Sequence, residues 1–169
     1  MRSAKGFTLI EMMITVAIAA ILLTVAVPGF QAFIANNRLS TQANTFISSL
    51  QLARSEAIKR NLSVTVCQSG DGQSCNTTNG FEQGWIVFVD PDNSNTRDTG
   101  EAIILANQGL PQGMSLTGGR TAISYRADGT VAPLNNTTLH LCHQGNTNGR
   151  DIVINVTGRI RVATVTNCS

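Results

Sequence analysis

The sequence predicts an α+β protein: one long N-terminal helix followed by a β domain whose antiparallel strands pack on it. Three observations carry that expectation. Residues 7–27 form an apolar run broken by a single charge, Glu11. From residue 30 to about residue 61, apolar side chains recur in steps of three and four, the period of a helix with one buried stripe. Beyond residue 61 the period falls to two, in short stretches separated by loops rich in Gly, Asn, Asp, Thr and Ser. A helix that must bury one stripe, followed by strands that must bury one face, is solved by laying the sheet on the helix.

Residues 1–6 are a short basic leader carrying Arg2 and Lys5. At about 1.5 Å per residue the apolar run that follows spans roughly 30 Å, the thickness of a bilayer's hydrocarbon core. The basic leader keeps residues 1–6 on the cytoplasmic side and sends the remainder outward. A secretory cleavage site would follow the apolar core, and AVPGF is a poor one. A cut at Gly6–Phe7 instead leaves the apolar helix on the mature chain. Glu11 is then a carboxylate inside the hydrocarbon, which costs at least a few kcal/mol and calls for a partner. The new amine on Phe7 of a neighbouring subunit is one. A plain anchor with an incidental glutamate is the bland alternative.

The string KGFTLIEMMITVAIAAIL resembles the class III leader and N-terminal helix of type IV pilins and type II pseudopilins, with Gly6, Phe7, Glu11 and Pro28 at the matching positions. The resemblance implies cleavage at Gly6–Phe7 by a prepilin peptidase and N-methylation of Phe7. It also implies a stay in the inner membrane, the C-terminus periplasmic, and then incorporation into a filament with major and minor pilins through Glu11. Pro28, which cannot donate its backbone hydrogen bond, is expected to kink the helix. The expected organisation is a leader at 1–6, a transmembrane or filament-core segment at 7–28, an amphipathic half at 29–61 and a β-rich domain at 62–169. In the amphipathic half the buried stripe is Leu39, Ala43, Phe46, Leu50, Ala53 and Ala57, and Lys59 and Arg60 suit the negative end of the helix dipole.

Of 169 residues only 13% are charged, and the net charge is +2. Residues 62–119 hold one basic and six acidic side chains; residues 120–169 hold five basic and two acidic. Loss of Arg2 and Lys5 with the leader brings the mature chain to zero, so any polyanion site must be a local patch. Cys67, Cys75, Cys142 and Cys168 all follow the membrane segment, in an exported and oxidising setting, which predicts two disulfides. Of three connectivities, Cys67–Cys75 closes a short polar loop and Cys142–Cys168 pins the C-terminus. No metal or cofactor is expected: His140 and His143 flank Cys142 without Cys-x-x-Cys spacing. The loop 90–98 alternates oxygen ligands but lacks the glycine and twelfth-position glutamate of a hand-type calcium loop, and as a polar turn it needs no ion. Nucleophile elbow, phosphate loop and zinc-type His pair are all missing, so no enzymatic activity is expected.

The strands are expected at 63–67, 84–90, 102–106, 114–117, 122–126, 138–142, 151–157 and 159–165. LARSEAIKRN, GWIVFVDPDNSNTRDTGEAII, ISYRADGTV and IVINVTGRIRV together resemble the GspH/FimT family of minor pilins and pseudopilins, which implies the pilin fold. In the last segment two alternating strands meet at Thr157-Gly158, the glycine supplying a positive φ. Period-two geometry puts Arg159 and Arg161 on one face, about 6–7 Å apart, with Ile160 and Val162 turned the other way. A planar guanidinium fork suits phosphate oxygens. Gly158, Arg159 and Arg161 match the GRxR motif by which FimT-type minor pilins bind DNA in natural transformation, and Arg150, in the loop before the hairpin, extends the patch. Two readings stand side by side: a minor pilin that takes up DNA, and a structural minor pilin or H-type pseudopilin of type II secretion that contacts only protein. Arginine on an outer strand also blunts edge pairing.

Overall fold

The computed structural model describes residues 6–78, 80–133, 136–145, 147–166 and 168, except the side chains of residues 25, 28 and 32. The chain divides into two units, Met1–Asn37 and Arg38–Ser169.

Helix α1 runs from Leu9 to Arg60. Its start is fixed by a reciprocal cap. Thr8 Oγ1 accepts the Glu11 amide at 3.3 Å, and the Glu11 carboxylate accepts the amide and hydroxyl of Thr8, each at 2.9 Å. This is a capping box, Thr-x-x-Glu ahead of an apolar run. At the other end Asn61 turns left-handed, φ 54°, and the Leu62 amide donates to Ala57 O at 3.3 Å, the long bond of a Schellman motif. Lys59 and Arg60 reach back to Glu56 at 3.4 and 2.5 Å.

In the first unit the apolar side chains lie open, Phe7 at 87% exposure and Ile10, Leu22 and Phe30 near two-thirds. Taken one straight helix at a time, none among the described residues is long and apolar enough to cross a membrane. The bent pair Leu9–Thr24 and Gly29–Arg60 together has the length and composition. The kink expected at Pro28 falls on a side chain outside the described residues, as do Arg2 and Lys5 of the leader.

The second unit is built on the stripe that the helical period picked out. Leu39, Ala43, Phe46, Leu50, Ala53 and Ala57 are each no more than 2% exposed. Among the described residues nine strands follow: β1 (Val64–Gln68), β2 (Gly84–Val89), β3 (Ile103–Gln108), β4 (Met114–Gly118), β5 (Ala122–Tyr125), β6 (Val131–Ala132), β7 (Thr137–His143), β8 (Gly149–Ile154) and β9 (Ile160–Val165). They form two antiparallel sheets, ordered β3-β2-β1-β5-β6 and β4-β7-β8-β9. Val64, Val66, Trp85, Val87, Ile123 and Tyr125 of the first sheet share one core with the helix stripe and with Leu116, Leu139, Leu141, Ile152 and Ile154 of the second. Phe46 meets Phe81 and Trp85 edge-on, both at 5.1 Å. The Trp85 indole N–H donates to Ser49 Oγ at 2.9 Å, which satisfies the one polar atom that its burial would strand.

The far face of the first sheet carries a smaller cluster of Cys67, Ile86 and Phe88, with Cys75, Ile103 and Ala122 against it. The disulfides join Cys67 to Cys75 and Cys142 to Cys168. Two features were not expected. The short strand β6 gave no alternation to read, having two residues. Strand β8 begins at Gly149 rather than at residue 151, because Gly149 lets the strand lie close against the disulfide: a Cβ there would stand 2.3 Å from Cys168 Sγ and 2.7 Å from Leu141 O.

Candidate nucleic-acid interface

The hairpin of β8 and β9 closes through a longer turn than Thr157-Gly158 alone. The Gly158 amide donates to Asn155 O at 2.8 Å, and the Asn155 amide donates to Arg159 O at 2.9 Å. Three residues, 156–158, thus form the loop, with Gly158 at φ 75°, the arrangement of a type I turn followed by a left-handed glycine. The two-residue turn expected from the sequence is corrected accordingly, and both strands stop short of it.

Gly158 does more than turn the chain. It is buried, and a Cβ on it would stand 2.2 Å from the carbonyl oxygen of Gly129. Gly129 belongs to the turn between β5 and β6, so the hairpin turns of the two sheets touch here. The Val131 amide donates to Val156 O at 2.9 Å across the same junction. Arg54, from the helix, ties both turns: its Nε donates to Gly129 O and its Nη2 to Thr157 O, each at 3.0 Å. Sequence reasoning missed Arg54 as an anchor.

Arg159 and Arg161 emerge from this braced turn exposed. Arg161 pairs with Val153 in register, and Ile160 and Val162 pair with Ile154 and Ile152. The arginine therefore shares the outer face with Val153, while Ile160 and Val162 share the other face with Ile154 and Ile152, Ile160 half-buried and Val162 still 46% exposed at the edge of the sheet. Among the described residues neither guanidinium has a hydrogen bond or an ion pair. Two unpaired, weakly hydrated cations on a rigid rim are what phosphate oxygens require of a protein.

Arg150 is placed differently from the expectation. It lies inside β8, opposite Thr164, on the same face as Ile152 and Ile154. Its Nη1 donates to Gly149 O at 3.0 Å and its Nη2 reaches Ser40 Oγ of the helix at 3.4 Å. Strand parity, the cause of the correction, keeps it off the face and the end that carry Arg159 and Arg161. Ser40 and Arg54 are also separated by about 21 Å of helix, and β8 with its turn covers a similar length, so the hairpin lies along the helix and is tied at both ends.

On the acidic side, Asp90, Asp92 and Glu101 bring ligand atoms within 4.8 Å of one another. Asp90 is buried, accepting the Thr65 hydroxyl at 2.6 Å and the amides of Ser94 and Asn95 at 3.0 and 3.2 Å. Burial pushes its carboxyl above the ordinary carboxylate range. Asp92 is held below that range, chiefly by the Ser94 amide. Protein donors thus close the loop at Asp90 and, through the Ser94 amide at 3.1 Å, at Asp92, while the Asp98 amide donates to Glu101 at 2.8 Å.

Residues 42–158 match the model of the family described as type II transport protein GspH. The chain belongs to this family. Residues 1–27 match the prokaryotic N-terminal methylation motif. Over 58 residues the GspH-family chain is 45% identical to a fimbrial protein of Pseudomonas aeruginosa, a match that spans 34% of this chain and 37% of that relative. The fold is shared with the type IV minor pilin FimU of the same organism, at a TM-score of 0.63 and 21% identity over 81% of this chain and 99% of that one. It is shared as well with the minor pseudopilin EpsH of the Vibrio cholerae type 2 secretion system, at 0.52 and 16%, over 75% and 96%. The expected pilin fold is thereby shown, on a GspH-family chain that carries the N-terminal methylation motif.

Proposed function

We propose that this chain is a minor type IV pilin that binds double-stranded DNA through the Arg159–Arg161 rim and serves DNA uptake in natural transformation. The observation that carries the reading is a pair of unpartnered guanidiniums on one outer face, held by a turn that Gly158 and Arg54 lock in place. The contacts are to phosphates, so binding is independent of base sequence. Phe7 is the mature N-terminus, exposed after prepilin peptidase cuts at Gly6 and then methylated. The apolar half of α1 holds the chain in the inner membrane until it joins other pilins in a filament that carries the rim to the cell surface.

The test is a salt titration of duplex DNA binding by the full-length chain in non-ionic detergent. Each phosphate contact adds about 0.9 to the slope of log affinity against log salt. Arg159→Gln with Arg161→Gln is expected to flatten that slope by about two units and to cut uptake, with pili still present. Folding stability should change by no more than about 0.5 kcal/mol, as the substituted side chains are exposed. Arg150→Gln, on the opposite face, leaves the slope as it is. Undiminished binding in the double variant rules the rim out.

The second reading, a structural pilin or pseudopilin that meets only protein, draws on β9. This strand is paired by β8 on one side and ends the sheet, and an open strand edge is a ready partner for another chain. Loss of uptake accompanied by loss of pili supports it.

A further inference from the structure

The outer face of the second sheet carries one acidic residue beside the arginine rim, and something holds it. Asp151 stands opposite His140 on β7 and opposite Ala163 on β9. Arg161 is its diagonal neighbour on that face, at the roughly 7–8 Å separation that long side chains bridge. The Asp151 side chain is nevertheless turned the other way: its Oδ1 meets His140 Nδ1 at 2.6 Å, and no other hydrogen bond to it is formed among the described residues. On β4 the groups facing His140 are Thr117 directly and Ser115 beyond it, neither of them charged, so nothing competes with Asp151 for the imidazole.

We infer that His140 is a positioning residue for the DNA rim: it holds the Asp151 carboxylate across β8, away from Arg161, and so keeps that guanidinium available to phosphate. Without His140 the carboxylate has one cation within reach, and an ion pair with Arg161 removes a phosphate contact. The inference rests on the DNA reading given above.

The full-length chain in non-ionic detergent, titrated with a fluorescent DNA duplex over a range of salt, tests it with three variants. His140→Val, which removes every donor to Asp151, is expected to weaken binding about two- to five-fold at low salt, the value of an exposed ion pair. The slope of log affinity against log salt should fall by about 0.9, one contact. Adding Asp151→Asn to His140→Val restores wild-type affinity and slope, which a merely structural role for His140 does not explain. Asp151→Asn alone binds at least as tightly as the wild type. Unchanged binding in His140→Val overturns the inference. So does a loss that Asp151→Asn fails to rescue, since His140 then contacts DNA itself or supports the sheet. The DNA reading is judged separately, by whether the wild-type chain binds and Arg159→Gln with Arg161→Gln binds more weakly with a slope flatter by about two units. Absence of wild-type binding overturns both.

Discussion

At the scale of single residues, the exposed pair depends on a buried glycine. Gly158 needs a left-handed backbone, and Gly129 O occupies the space of its missing side chain. Gly158→Ala meets both obstacles at once. Left-handed strain costs about 1–2 kcal/mol, and backbone must then move to relieve the contact, so a loss of about 2–4 kcal/mol is expected in thermal unfolding. DNA affinity should drop with it although no cation is removed. The glycine was legible in the sequence as a turn signal; its contact with Gly129 was not. Neither was Arg54, whose bonds reach 75 and 103 residues along the chain, a separation that no local pattern encodes. Arg150 misled for a local reason: Gly149 looks like loop, yet it is a strand residue that needs its small size beside a disulfide. Glu11 carried a signal that pointed two ways, since Thr-x-x-Glu is a helix cap as well as a membrane charge.

Elements were easier to read. The stripe from Leu39 to Ala57 and eight of the described strands, all but β6, follow from periodicity alone, because a buried face demands an apolar residue at each return. Loops are held by polar groups instead, and these titrate. Asp71 accepts the Ser74 hydroxyl at 2.5 Å, the amides of Ser74 and Gln73 at 2.8 Å each, and the Ser69 hydroxyl at 3.0 Å. The hydroxyl of Ser74 first, then the two amides, hold its carboxyl well below the usual carboxylate range. A depressed carboxyl stabilises the fold fully above its unfolded pKa, about 3.9, and that contribution is lost as the pH falls through the folded value. Asp71→Asn is therefore expected to lower Tm at pH 7 and to narrow its gap from the wild type as the pH falls from 5 to 3. Thermal unfolding across that range checks it; parallel curves would refute the assignment.

For the molecule as a whole, the open apolar half of α1 demands either lipid or other subunits. Mass spectrometry of the mature protein should begin at Phe7. Glu11 separates two roles at this scale. Glutamine keeps a capping box, so Glu11→Gln should insert and fold as the wild type does; if the charge pairs with a neighbour's N-terminal amine, it should still fail to enter filaments. Glu11→Ala should fail likewise, with a helix start weakened by about 1 kcal/mol. Normal incorporation of Glu11→Gln, scored by pilus shearing, would leave the cap as the only role. The hairpin that lies along the helix, tied at Ser40 and at Arg54, also has a mechanical consequence. The ladder bonds of β8 and β9 run across the strands, so tension applied at the rim along the hairpin shears six register pairs together instead of unzipping them singly. The weak point under such a load would be the Val165 end of β9, where the strand could peel. That end is stapled to β7 through Cys168 and Cys142, and a tug on the rim passes into a sheet whose free corner is covalently riveted.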